Sequence, residues 1–212
     1  MRQTRIEFPV GNTSVEGVMC GPVSMNLRAP AAVVCHPHPL LGGNMDSEVV
    51  FEICKALASR GVASLRFNFR RNSRNRSMLV RDAAHDTICA FNVLRALDFV
   101  DRERCALAGY SFGASAALRA LSNLESAKAI ATIAPPVSEL DYLSVCRDMR
   151  PKIVIFGDAD KLVDANALRI AVERMPGPTK TILLEGANHA FIGYAETAAD
   201  HIAEFLTKVL TS

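Results

Sequence analysis

Residues 105–113, Cys-Ala-Leu-Ala-Gly-Tyr-Ser-Phe-Gly, limit what this chain can fold into more than any other stretch. The four small apolar residues at 105–108 suit a strand buried on both faces, and residues 114–121, Ala-Ser-Ala-Ala-Leu-Arg-Ala-Leu, are strong helix formers. Ser111 is therefore predicted at a strand-to-helix turn. A residue held there adopts a strained backbone, and its neighbours two places away on each side must be almost free of side chain so that strand and helix can approach. Gly109 and Gly113 meet that demand. The competing reading is a glycine-rich turn that merely closes a strand onto a helix; the strand before and the helix after favour an elbow that presents a nucleophilic serine.

With 212 residues, half of them hydrophobic and 22% charged, the chain is long enough for one well-packed domain and short for two, so a single domain over residues 1–212 is expected. A formal net charge of +2 supplies no strong overall field, and neither a nucleic acid nor a membrane is an expected partner. Six cysteines, at 20, 35, 54, 89, 105 and 146, form no Cys-x-x-Cys pair and read as small core hydrophobes in a reducing compartment. No apolar stretch of signal length follows the start, and nowhere do eighteen apolar residues run together. A cytoplasmic protein is the expectation.

Residues 5–10 and 14–20 are short extended runs joined by Gly11-Asn12-Thr13, a hairpin signal. Residues 31–35 form a continuous apolar run consistent with a central parallel strand, and 47–60 carry apolar residues at a helical period that ends at Gly61. Strands are then predicted at 62–69, 105–108, 127–134, 152–156 and 180–184, with helices at 79–100, 164–175 and 194–210. This alternation implies an α/β fold: one domain, a mostly parallel sheet and helices on both faces.

Ligands of such sheets collect beyond the carboxyl ends of the strands. Past the strand at 152–156 comes Gly157-Asp158-Ala159-Asp160, and past 180–184 comes Asn188-His189. Ser111, an aspartate near 160 and His189 thus follow one another in the order nucleophile, acid, base expected with this elbow. Asp158 and Asp164 flank Asp160 and suit a surface carboxylate or a helix cap. His36 and His38 could ligate a metal, but no third ligand lies nearby in sequence, and a loop stiffened by Pro37 and Pro39 is the simpler reading. His85 and His201 fall inside helices and receive no role.

The sequence resembles the α/β-hydrolase superfamily. It is similar in particular to small bacterial, dienelactone-hydrolase-like members with a His-Pro-His-Pro-x-x-Gly-Gly loop, here residues 36–43, and Leu65-Arg-Phe-Asn-Phe-Arg70 and the elbow are further matches. The resemblance implies Ser111 as nucleophile, Asp160 as acid and His189 as base. It implies a carboxylesterase-like serine hydrolase acting on a small-molecule acyl substrate, with water as second acceptor and neither cofactor nor metal. Chemistry asks for the same parts: a base to deprotonate the serine, a carboxylate to orient it, and fixed donors for the developing oxyanion. One donor is the N–H of Phe112, directly after the serine; the other comes from the loop after strand 31–35. Pro37 and Pro39 cannot donate, which leaves His38, Leu40 or Leu41, and alignment with the family's His-Gly-aromatic stretch selects Leu40.

Two departures from the family pattern stand out. Where relatives have Arg-Gly-x-Gly-x-Ser, this chain has Arg-Arg-Asn-Ser-Arg-Asn-Arg-Ser, and residues 66–81 hold six arginines and no acid. A solvated loop in which Arg66 and Arg70 serve the fold is one reading, and selection of an anionic substrate or partner is the other. Between the strands at 127–134 and 152–156 only residues 135–151 remain, too few for a lid domain, so an open site is expected with Pro135, Pro136, Tyr142 and Leu143 as wall residues. The alternative to an enzyme is a hydrolase fold kept as a binding or scaffold protein that uses the arginine-rich loop as its contact.

Overall fold

The computed structural model describes residues 1–22, 28–70, 76–142 and 144–212, with the backbone alone of residues 76 and 77. The leading hairpin is built from β1 (Arg2–Val10) and β2 (Thr13–Gly21), paired antiparallel from Val10↔Thr13 outward. Gly11 takes φ 60°, the positive angle that a two-residue hairpin turn requires. β2 joins the rest of the sheet by an antiparallel pairing with β4 (Ala63–Phe67). All other pairings are parallel, among β4, β3 (Ala29–Cys35), β5 (Val100–Tyr110), β6 (Ala127–Ile133), β7 (Lys152–Gly157) and β8 (Thr179–Leu184). Among the described residues eight strands run in the order β1-β2-β4-β3-β5-β6-β7-β8.

Strand alternation divides the apolar residues between two cores. Ala31, Val33 and Cys35 of β3 face a core that includes residues of α2 (Arg76–Ala96), α3 (Phe112–Leu121) and α5 (Ala165–Glu173). Ala32 and Val34 face the opposite core, built with α1 (Glu48–Ser59) and α6 (Ala195–Thr211). Every residue of β3, β4 and β7 is buried, as strands covered on both faces must be. This is the single-domain α/β arrangement expected from the sequence, and only α4 (Val137–Leu140) with its flanking turns connects β6 to β7, with no lid domain.

One boundary departs from the expectation. The helix predicted to reach Val100 stops at Ala96, and β5 begins at Val100 instead of Cys105. Its first half, Asp101-Arg102-Glu103-Arg104, is charged and only its second half is fully buried. Val100 pairs with Ala29 and Cys105 with Ala31, so residues 101–104 stand opposite a single residue of β3 as an irregular bulge, and such a segment has no apolar pattern to announce it. Arg104 pairs with Asp101 at 2.7 Å and reaches the carbonyl of Arg28, tying this segment to the start of β3.

Arg66 is buried, donates to the Met45 carbonyl at 2.8 Å and to Gln3 Oε1 at 2.9 Å, and pairs with Asp46. Arg70 donates from its backbone N–H and its Nε to the fully buried Asp86 carboxylate, at 3.0 and 2.7 Å. Both hold chain segments together from inside. Of the other four arginines of that stretch, Arg81 is exposed, whereas Arg71, Arg74 and the side chain of Arg76 lie outside the described residues. Leu143 lies outside them too. Tyr142 is half exposed, with the Arg119 guanidinium 4.9 Å from its ring centre, and Arg119 makes a two-pronged pair with Glu139 at 2.8 and 2.9 Å.

All six cysteines are free; Cys20, Cys35, Cys54 and Cys105 are buried, Cys89 is half-buried, and Cys146 is exposed instead of packed in the core. Burial pushes the Cys35 and Cys105 thiols up to about 12, which keeps them protonated. Among the described residues no helix is long and apolar enough to cross a membrane.

Gly157 ends β7 so close to the β8–α6 loop that an added Cβ would lie 2.0 Å from the Ala187 carbonyl oxygen. Gly61, at φ 76°, has open space around its missing side chain. Gly157→Ala is expected to destabilise the fold by about 3 kcal/mol through backbone overpacking, and Gly61→Ala by only about 1 kcal/mol through its positive φ. Urea unfolding of both variants checks the ranking.

Candidate active site

The site begins with a backbone that only this sequence spacing permits. Ser111 has φ 54° and ψ −116°, a region that side-chain-bearing residues seldom occupy. A Cβ on Gly109 would lie 2.4 Å from the Gly113 carbonyl oxygen, and one on Gly113 would lie 2.2 Å from that of Cys35. Strand β5, helix α3 and the end of β3 therefore touch through bare backbone. The Ser111 N–H donates to the Ile133 carbonyl of β6 at 2.8 Å, and its own carbonyl accepts from Ala114 and Ser115 at 2.9 and 3.3 Å. Phe112 is the first residue of α3, so its N–H points out of the helix without an intrahelical acceptor.

Three loops beyond the strand ends bring the remaining groups to the serine. His189, in the loop after β8, places Nε2 2.9 Å from Ser111 Oγ. Its Nδ1 lies 2.7 Å from Asp160 Oδ2, in the loop after β7. The other carboxylate oxygen, Oδ1, accepts from the N–H groups of Leu162 and Val163 at 2.8 and 3.0 Å. The Asp160 side chain is 0% exposed, so these donors and His189 replace the water it gives up. The two flanking aspartates are engaged elsewhere: Asp158 accepts from the Gly186 N–H at 2.6 Å, and Asp164 caps α5 by accepting from Ala167 at 2.7 Å.

Tyr110 is a participant that the sequence reading passed over. Its hydroxyl donates to the His189 carbonyl at 2.6 Å, and its ring stands edge-on to the buried Phe191 at 6.0 Å. Burial, with the Asp160 charge adding to it, pushes its phenol up to about 12, so the donor stays protonated. Phe191 itself sits at φ 54°. The clue was present: a tyrosine buried beside an elbow serine needs an acceptor for its hydroxyl.

The loop after β3 is braced from within. His36 is buried; its Nε2 accepts from the Phe69 N–H at 3.0 Å, so Nδ1 carries the proton and donates to the Pro37 carbonyl at 2.6 Å. Nε2 thus ties the end of β3 to the segment after β4, while Nδ1 fixes the loop's own backbone. Gly42, at φ 87°, and Gly43, whose Cβ would lie 2.3 Å from the Pro37 oxygen, close the loop tightly. The His38 ring packs 4.8 Å from that of Phe112. Leu40, expected as the second oxyanion donor, directs its N–H to His38 Nδ1 at 3.2 Å, and Leu41 directs its own to the His38 carbonyl at 3.0 Å. The single 3-10 turn at Pro39–Leu41 forces both amides inward. Among the described residues no group of three or more His, Cys, Asp or Glu is arranged to hold a metal.

A strained strand-to-helix elbow on a mostly parallel sheet, with the serine after β5, the aspartate after β7 and the histidine after β8, defines an α/β hydrolase. The chain belongs to the alpha/beta hydrolase domain family, whose model matches residues 31–210. It is 27% identical over 224 residues to an uncharacterized protein of Rickettsia prowazekii, covering 99% of this chain and 90% of that one. A crystal structure from Xanthomonas campestris, described as an α/β serine hydrolase without a lid, superposes with a TM-score of 0.84 at 25% identity, covering 99% of this chain and 96% of that chain. A dienelactone hydrolase from Anabaena variabilis shares the fold with a TM-score of 0.84 at 18% identity, over 99% and 98% of the two chains.

Tyr110→Phe removes the hydroxyl that holds the His189 carbonyl. It is expected to lower stability by about 1 kcal/mol, and thermal unfolding beside the wild type measures it.

Proposed function

We propose that this protein is a serine hydrolase that cleaves a small ester or related acyl bond through an acyl-serine intermediate. The observation that carries the reading is the unbroken hydrogen-bond chain from Ser111 Oγ through His189 to the buried Asp160, set on the strained elbow. His189 Nε2 takes the hydroxyl proton as Oγ attacks the acyl carbon. Asp160 fixes the tautomer in which Nδ1 carries a proton, and its charge stabilises the imidazolium that forms. Collapse of the tetrahedral intermediate returns the proton to the leaving alkoxide, and a water activated by the same histidine then releases the acid.

Negative charge on the tetrahedral oxygen calls for two fixed donors. Phe112 supplies one, assisted by the N-terminus of α3. For the second, Leu40 would have to give up its hydrogen bond to His38 Nδ1. Support for His38 instead comes from chain geometry. Gly113 abuts the carbonyls of Cys35 and His36, Pro37 has no N–H, and the next amide along the chain is that of His38. His38 N–H is therefore our assignment.

Incubation with a fluorophosphonate probe and hydrolysis of p-nitrophenyl butyrate test the reading. Wild type is expected to label and turn over, and Ser111→Ala to do neither. Asp160→Asn should lower kcat by about 10⁴-fold, whereas Asp164→Asn, at a cap remote from the histidine, should change it by no more than about twofold. A folded wild type that neither labels nor hydrolyses any ester would overturn the proposal in favour of a non-catalytic binding protein.

A further inference from the structure

The two terminal nitrogens of Arg66 are engaged by Met45, Asp46 and Gln3, but its Nε–H has no acceptor, although the side chain is only 4% exposed. The hydroxyl of Ser64, on the same face of β4 and fully buried, also has no hydrogen-bond partner among the described residues. Buried polar groups are nearly always satisfied, so two orphans side by side call for an explanation. Both face a pair of thiols. Cys20 of β2 stands opposite Ser64 in the sheet, and Cys54 of α1 packs into the same core as Cys20.

The environment sets the two thiols apart. The Cys54 S–H donates toward the Cys20 sulfur and the Arg66 guanidinium adds to it, which pulls the Cys20 thiol below its ordinary value in spite of burial. Burial, with the Cys20 charge adding to it, pushes the Cys54 thiol up. Cys20 therefore favours the thiolate while its neighbour keeps a proton, the asymmetry of an attacking and a resolving cysteine. Cys35, Cys89 and Cys105 have no such arrangement, and burial pushes each of them up. An oxygen atom added to the Cys20 sulfur would also supply the acceptor that Arg66 Nε and Ser64 Oγ lack. Gln3, opposite Cys20 in the edge hairpin, is exposed and accepts from Arg66 at 2.9 Å, so the cluster borders the solvent-facing edge of the sheet.

We propose that Cys20 and Cys54, with Arg66 and Ser64 beside them, form a modification site for hydroperoxides that closes to a disulfide between β2 and α1. The Cys20 thiolate attacks one peroxide oxygen; an S–O bond forms, the O–O bond breaks, and the departing hydroxide or alkoxide takes a proton from solvent. Sulfur gives up two electrons and the peroxide gains them. The Cys54 sulfur then attacks the sulfenic sulfur; the S–S bond forms, the S–O bond breaks, and the hydroxyl leaves with the Cys54 proton as water. A thiol reductant reverses the change. No step uses Ser111, His189 or Asp160, so the inference is independent of the serine-hydrolase reading.

The test uses a Cys146→Ser background, which removes the exposed thiol and leaves five of the six cysteines, as folded protein treated with a small excess of hydrogen peroxide. Two of the five thiols should be lost to titration in denaturant, mass spectrometry should map the new bond to Cys20 and Cys54, and dithiothreitol should restore both. In Cys54→Ser, Cys20 should instead be trapped as its dimedone adduct, and in Cys20→Ser no adduct should form at Cys54. Ser111→Ala should oxidise at the wild-type rate, and a loss of oxidation in that variant would place the reaction elsewhere. Retention of all five thiols, or oxidation without the Cys20–Cys54 bond, overturns the proposal and leaves the hydrolase reading untouched.

Discussion

Everything at the site depends on the contact of bare backbone among β5, α3 and the end of β3. Two glycines four residues apart make it, since a single methyl group at either would fall within about 2.4 Å of a carbonyl oxygen. That approach holds Ser111 in a backbone region that costs on the order of 1–3 kcal/mol. The strain persists because the surroundings overdetermine it. Ser111 is bonded to β6 through its N–H, and α3 is buried along nearly its whole length against the core. A strand or helix shifted by a fraction of an ångström would lose these contacts together, so the elbow is as rigid as the sheet it grows from.

Rigidity then passes outward, loop by loop. Asp160 is fixed by two amides of its own loop, the carbonyl of His189 by Tyr110, and the loop after β3 by His36 and by its own 3-10 turn. Partners within each loop and from neighbouring elements hold these groups, and in a partly desolvated site such preorganisation is what makes fixed dipoles effective. The buried Asp160 carboxylate illustrates the balance. Two N–H donors and an imidazole offset the loss of water, which leaves its charge available to the histidine and to little else.

Legibility in the sequence followed the range of the forces involved. The elbow was readable because its demand is local, glycine at two fixed offsets between an apolar run and a helix former. The hairpin at Gly11 was readable for the same reason, whereas Asp158 and Asp164 were left open between a surface carboxylate and a helix cap until the structure made Asp164 the cap. Choosing Asp160 among three nearby aspartates needed the family resemblance, because the three share one chemistry and differ only in which partners the fold brings to them. The start of β5 was hidden, since the charged residues 101–104 bulge out between its pairings with β3 and carry no period-two signal. Leu40 illustrates the opposite limit. The alignment pointed to it, but whether an amide faces the site or its own loop is decided by a turn that residue types alone do not specify. His36, weighed as a metal ligand, became a brace because the Phe69 N–H, 33 residues away, needed an acceptor.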